Sequence, residues 1–285
     1  MHYFIKSSVM QNYEAQVRRY LELSNYSPQT IKTYLSCLRS ALSVIPGPAE
    51  EWSEEAIGDY LLYMRQSGKS TSSINQAHGV LKIFRIHVLG ESWSVSKLPR
   101  ARQRQGLPVV LSVEEVRAIL ATVSNVKHRA ILELLYTSGI RLSELRHLKL
   151  HDIDSRRMQI RVEQGKGQKD RYTLLSEKTL HLLREYYKAY RPSTWLFESY
   201  RPGHPYSRRS VQVIFQRAKE RARIQKPASV HTLRHSFATH LLDTGVDVLT
   251  VRDLLGHKSL STTMRYLRLR RNKLSGKAHP LDAML

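Results

Sequence analysis

The stretch from Ser229 to Tyr266, SVHTLRHSFATHLLDTGVDVLTVRDLLGHKSLSTTMRY, constrains the chain more than any other. Leu233, Phe237, Leu241 and Leu242 recur at helical spacing, so His231, Arg234 and His235 share or border one helix face. A histidine and an arginine one turn apart can address a single phosphate. The arginine offers a planar fork of donors, and the histidine can move a proton near neutral pH. Three plainer readings compete. His231 and His235 have the spacing of a zinc-protease helix, but Thr232 stands where that chemistry needs a glutamate base, and Arg234 between them repels a cation. His-x-x-Arg also suits a solvated basic face, and Tyr266 suits a core aromatic. The combination with Leu-Leu-Gly-His257 and Tyr266 outweighs these readings.

That combination resembles the C-terminal half of the active site of the tyrosine recombinase, or phage integrase, family. Upstream, Thr137-Ser-Gly-Ile-Arg141-Leu-Ser-Glu144-Leu is similar to the family's first arginine motif, and Gly165-Lys166-Gly-Gln-Lys169-Asp-Arg171 to its lysine hairpin. Each element alone is weak; four in family order and at family spacing are specific. The likeness covers residues 110 to 270 well and residues 10 to 95 more loosely. It implies a mainly α fold with a small β-hairpin or sheet. It also implies two domains closing as a C-shaped clamp around DNA: an N-terminal helical core-binding domain and a mixed α/β catalytic domain.

The charge agrees. Lysine and arginine total 46 against 24 acids, a formal charge of +22, and residues 101–285 carry 35 of the basic and 16 of the acidic side chains. An excess of this size points to a polyanionic partner. Cys37 is the only cysteine, which excludes an intramolecular disulfide. No apolar run approaches the roughly 20 residues of a membrane span, and no signal-peptide core is evident. The expected setting is cytoplasmic, on the nucleoid.

In chain order, residues 11–23, the run after Ser27-Pro28, Trp52–Met64 after Ser53, and Thr71–Val88 read as four helices of a domain spanning 1–96. Lys32, Lys69 and Lys82 in that domain are candidates to grip a DNA backbone. Residues 97–110 read as a basic linker in which Arg100, Arg102 and Arg104 cross phosphates. Ser112-Val-Glu-Glu115 is a capping box that opens a second domain, residues 111–270. A helix from Lys127 to Thr137 reaches Ser138-Gly139; Arg141 lies just beyond, and Glu144, one turn on, can hold its other donors. Met158–Glu163 and Lys169–Leu174 alternate as a hairpin with Lys166 at its tip and Lys169 as the rival lysine and a candidate DNA contact. Residues 177–190 and 210–222 are helices, the second strongly basic, with Arg208 and Arg209 at its start as candidate phosphate contacts. Residues 271–285 are a basic and then apolar tail; in this family such tails contact a neighbouring protomer.

The resemblance implies a reaction. Tyr266 is the nucleophile on a scissile phosphate, giving a 3′-phosphotyrosyl linkage. Arg141, Arg234 and His257 stabilise the non-bridging oxygens. His231 is the candidate base for Tyr266, and Lys166 protonates the departing 5′ oxygen. No cofactor and no metal is called for. The expected activity is site-specific strand exchange between two double-stranded DNA sites by a homotetramer that is a monomer when free. Xer-type recombinases and transposon or integron integrases are the nearest types. The helical insertion of integron integrases is not evident between Gln168 and His231. Two alternatives remain at this point: type IB topoisomerase-like relaxation, and a non-catalytic DNA-binding regulator.

Overall fold

In the computed structural model the structure describes residues 2–94, 97–102, 106, 108–163 and 170–274. The chain separates into two compact units between residues 105 and 106.

Among the described residues the first unit is built on four α-helices: α1 (His2–Leu23), α2 (Pro28–Val44), α3 (Glu54–Gln66) and α4 (Thr71–His87). Their starts are chemically fixed. The hydroxyls of Ser27, Ser53 and Ser70 each accept a backbone N–H of the first turn, and Pro28 occupies a position where no donor is needed. Leu35 and Leu38 of α2, Val80, Leu81 and Phe84 of α4, and Val17 and Leu21 of α1 bury together.

Part of the basic linker expected at 97–110 is docked on this core. Leu98 is buried against this core, the Asn75 side chain bonds both the N–H and the carbonyl of Ala101, and a ring nitrogen of His78 lies 2.9 Å from the Leu98 carbonyl. An apolar side chain and satisfied backbone groups are reasons to dock that a charge count does not show.

The second unit opens with α5 (Val113–Ala121), whose Ser112 and Glu115 form the expected capping box. Then come α6 (Val126–Ser138), α7 (Leu142–Arg146), a three-stranded antiparallel sheet, and α8 (Glu177–Tyr190). The chain closes with α9 (Arg208–Arg221), α10 (Val230–Asp243), α11 (Val248–Leu255) and α12 (Leu260–Leu274). The sheet is β1 (Ile153–Asp154), β2 (Gln159–Val162) and β3 (Arg171–Leu174) in that order, with Ile160 opposite Thr173 and Val162 opposite Arg171. The pair β2–β3 is the expected hairpin. The third strand, β1, is two residues long, too short to carry an alternation.

Helix α6 packs against α8, α9 and α10 and is buried along most of its length, with Ile131, Leu132, Leu134 and Leu135 all buried. A second, smaller cluster ties α10, α11 and α12 together through Phe237, Ala238, Leu242, Val251, Leu255 and the ring of Tyr266. Helix α6 ends on Gly139, which takes φ 62°. A Cβ there would stand 2.3 Å from Phe237 and 2.9 Å from Leu255. Gly245 has φ 95° but open space around it.

Gly139→Ala therefore carries both backbone strain and a clash and is expected to lower stability by about 3 kcal/mol, while Gly245→Ala carries the strain alone and loses about 1 kcal/mol. Urea denaturation of the two variants measures the difference. Equal losses would show that Phe237 and Leu255 yield freely.

Candidate active site

Arg141 follows the left-handed Gly139 and enters α7 in an extended conformation, so its side chain turns back over the first turn of that helix. Glu144, one turn on, accepts the Arg141 backbone N–H at 2.7 Å and Arg141 Nη1 at 2.7 Å. The same carboxylate receives both terminal nitrogens of Arg171, at 2.7 and 3.0 Å. Burial alone would raise the pKa of Glu144, but hydrogen bonding and charge from Arg171, and then from Arg141, pull it down to about 2. The pairing of Arg141 with Glu144 was legible from their spacing; the part played by Arg171 was not read. The available signal was the period of β3: with Thr173 buried and donating to the Ser138 carbonyl, Arg171 two residues earlier lies on the same inward face.

Arg234 is 2% exposed, an unusual place for a guanidinium. Its two terminal nitrogens donate to the carbonyls of Gly139 and Leu255, each at 2.6 Å. Arg141 also reaches the Gly256 carbonyl at 3.2 Å, and Arg171 Nε the Leu254 carbonyl at 3.0 Å. These carbonyls belong to the ends of α6 and α11, where helices leave acceptors unsatisfied and carry partial negative charge. Burial and then the charge of Arg141 lower the Arg234 pKa to about 9, still charged at neutral pH.

Tyr266, on α12, is 3% exposed, its ring in the core, and it lines a small pocket. Burial raises its pKa, against the opposing charges of Arg234, Arg265 and Arg141. The ring of His257 lies parallel to it, centroids 6.2 Å apart, and His257 Nδ1 lies 2.8 Å from the Thr263 hydroxyl. Burial and then Arg234, Arg141 and Arg171 lower His257 to about 3, so its ring is neutral with Nε2 left for a partner. His235 Nδ1 lies 2.8 Å from the Tyr266 hydroxyl. Burial, then His231, Arg234 and Arg265, lower His235 to about 4. His231 meets His235 edge to face, centroids 4.4 Å apart, and turns toward solvent; its pKa is also lowered, by surrounding protein and by Arg234 and Arg141. The histidine bonded to Tyr266 is thus not His231, the sequence-based candidate base, but its neighbour one turn on.

Two clefts share the wall formed by Arg141, His231 and Arg234. One, of about 170 Å³, holds Tyr266, His235, His257 and Arg265. The other, of about 870 Å³, runs along α9 past Arg208, Arg209, Gln212, Gln216 and Arg217. Both arginines expected at the start of α9 therefore flank the site. Lys32, Lys69, Lys82, Arg100 and Arg102 are exposed on the first unit. Arg104, Lys166 and Lys169 lie outside the described residues.

Among the described residues, His151, Asp152 and Glu163 bring potential metal-ligand atoms within 4.8 Å of one another, but Glu163 is already engaged by Lys149 and Arg161. No helix among the described residues is long and apolar enough to cross a membrane.

Residues 109–273 match the phage integrase family and residues 15–95 the phage integrase N-terminal SAM-like domain. The chain is similar to a putative integrase/recombinase of Sinorhizobium fredii, 40% identical over 266 residues, which covers 93% of this chain and 86% of that protein. It is similar also to the tyrosine recombinase XerD of Staphylococcus aureus, 32% identical over 244 residues, covering 79% and 82% of the two chains. A lambda integrase tetramer bound to a Holliday junction has the same fold, with a TM-score of 0.73 at 20% identity over 90% of this chain and 76% of that one. The chain belongs to the phage integrase family and is a tyrosine-type site-specific recombinase.

Proposed function

We propose that the protein exchanges strands between two double-stranded DNA sites through a covalent 3′-phosphotyrosyl intermediate on Tyr266. The observation that carries this reading is the confluence of Arg141 and Arg234, both held from behind, with the Tyr266 hydroxyl in one small pocket. Each guanidinium has more N–H donors than its internal partners consume, so each can also take a non-bridging phosphate oxygen. His257 Nε2 is a further donor. Such donors favour the transition state because charge grows on those oxygens as the tyrosine oxygen approaches.

The leaving 5′ oxygen requires a proton, and Lys166 is the residue we assign to supply it, with Lys169 as the alternative. His231 lines the wall common to both clefts and reaches the same phosphate. The linkage conserves bond energy, so a 5′ hydroxyl from a second strand reverses the step without a nucleotide or metal cofactor. Arg208 and Arg209, with Lys32, Lys69, Lys82, Arg100 and Arg102 on the other unit, bind the phosphate backbone. Two sites brought together call for a homotetramer on DNA, the arrangement of the lambda integrase neighbour. Such work places the protein on the DNA of the cytoplasm.

Tyr266→Phe is expected to leave DNA affinity nearly unchanged and to abolish the covalent adduct on a nicked suicide substrate. Adduct formed at wild-type yield would refute the assignment. Cleavage is expected to continue in EDTA, and loss restored by magnesium would overturn the metal-free reading. Lys166→Ala is expected to slow cleavage of ordinary DNA by on the order of 10²–10⁴-fold. It should recover on a substrate whose bridging 5′ oxygen is sulfur, since a thiolate leaves unprotonated. Arg141→Ala and Arg234→Ala should not recover. Rescue of Lys169→Ala instead would identify the other lysine as the acid.

A further inference from the structure

We infer that His235, one turn after His231 on α10, is the group that takes the proton from Tyr266, leaving His231 to the phosphate. The inference rests on Tyr266 being the nucleophile and adds the destination of its proton.

Three independent placements carry it. His235 Nδ1 is 2.8 Å from the Tyr266 hydroxyl, direct hydrogen-bond contact with the reacting oxygen. The cleft linings divide the two histidines: His235 lines only the small pocket that contains Tyr266, whereas His231 lines that pocket and the large cleft along α9. Third, among the described residues the ring of His231 packs edge to face on that of His235 and makes no ring contact with the tyrosine. The packing of α10 on α12 fixes this choice. Positions 231 and 235 stand one above the other on the same helix face, and the later one is opposite Tyr266.

The step balances. With its proton on Nε2, His235 presents the Nδ1 lone pair to the hydroxyl. The O–H bond of Tyr266 breaks as the proton passes to Nδ1, and the phenolic oxygen forms a bond to phosphorus. The bond from phosphorus to the 5′ oxygen breaks, and that oxygen leaves with the electron pair and takes a proton from the general acid. In the joining step the new 5′ hydroxyl passes its proton to the now deprotonated general acid and bonds to phosphorus, the bond from phosphorus to the tyrosine oxygen breaks, and the imidazolium returns its proton to that oxygen.

The groups facing His235 explain why the transfer waits for DNA. His231 and Arg234 on α10, Arg265 on α12, Arg141 at the start of α7 and His257 after α11 surround the pocket. The arginines oppose a second positive charge there, and a bound phosphate anion offsets them.

The test follows covalent adduct on a suicide substrate with 5′ bridging sulfur, where protonation of the leaving group no longer matters. His235→Ala is expected to lose on the order of 10²–10⁴-fold in rate. Its rate should rise with pH across the range where wild type levels off, and added imidazole should restore part of it. His235→Asn retains a hydrogen-bonding side chain but cannot take a proton, and is expected to stay slow and unrescued. His231→Ala should be slower than wild type yet keep the levelling of the pH profile. DNA affinity and thermal melting of each variant monitor folding. Full activity in His235→Asn would reduce the residue to a positioning contact and overturn the proposal. So would a normal profile in His235→Ala alongside a lost plateau and imidazole rescue in His231→Ala. Tyr266→Phe is run in parallel: adduct there would defeat the nucleophile assignment itself, an outcome separate from either histidine result.

Discussion

The Glu144 carboxylate accepts hydrogen bonds from Arg141 at 2.7 Å and from Arg171 at 2.7 and 3.0 Å, and the arrangement of the site depends on that shared acceptor. Unit positive charges at roughly 5 Å repel by about 3 kcal/mol at an effective dielectric near 20. Arg141, Arg171 and Arg234 converge on one side of the catalytic unit, and a single carboxylate cannot cancel all three. The surplus is positive and faces a cleft. Removing one partner of a buried pair costs about 3–5 kcal/mol because a charge is left without compensation. Here the uncompensated charge is part of the native state, and under the proposed reaction a phosphate oxygen satisfies it.

What makes the surplus tolerable is backbone rather than side chain. The carbonyls of Gly139, Leu254, Leu255 and Gly256 each accept from one of the three arginines. All four sit where α6 and α11 stop, and both helices stop on glycines in the left-handed region. A Cβ on Gly256 would meet the Arg171 side chain at 2.7 Å, much as one on Gly139 meets Phe237. Each glycine thus ends a helix, exposes acceptors and admits a neighbour at close range. The second arginine is fixed by two helix ends far apart in sequence, which is why α10 must cross both.

Much of this was legible because it is local. A serine that caps a helix three residues ahead, or alternation in a hairpin, is written in adjacent residues, and the starts of α2, α3, α4 and α5 follow from their capping serines. The pairing of Arg141 with Glu144 is likewise a one-turn relation. Arg171 was hidden because its partner is remote in sequence; only the inward phase of β3 announced it. The docking of residues 97–102 escaped for a similar reason: Leu98 and Ala101 are ordinary residues whose partners, His78 and Asn75, are supplied by α4. His231 and His235 could not be separated at all from spacing. Both lie on one face at i and i+4, and which of them meets Tyr266 is decided by where α12 crosses.

That crossing also governs how the site behaves before DNA arrives. The pKa values of His231, His235 and His257 are all lowered, and that of Tyr266 is raised; for the part-buried His235 and His257 and the buried Tyr266 burial is the leading cause, and for the solvent-facing His231 it is the protein packed around one side of its ring, then Arg234 and Arg141. The three histidines and the tyrosine of the pocket are therefore held neutral beside its charged arginines. A neutral phenol hydrogen-bonded to a neutral imidazole is a poor nucleophile, so if Tyr266 attacks as proposed, the free protein keeps it idle. Under the proposed reaction the phosphate brings the missing negative charge. It offsets the arginines that oppose an imidazolium, and the attack moves negative charge from the tyrosine oxygen onto oxygens the arginines already face. Substrate binding and activation of the nucleophile then depend on the same electrostatic surplus, so a duplex placed without its phosphate between Arg141 and Arg234 would leave Tyr266 unreactive.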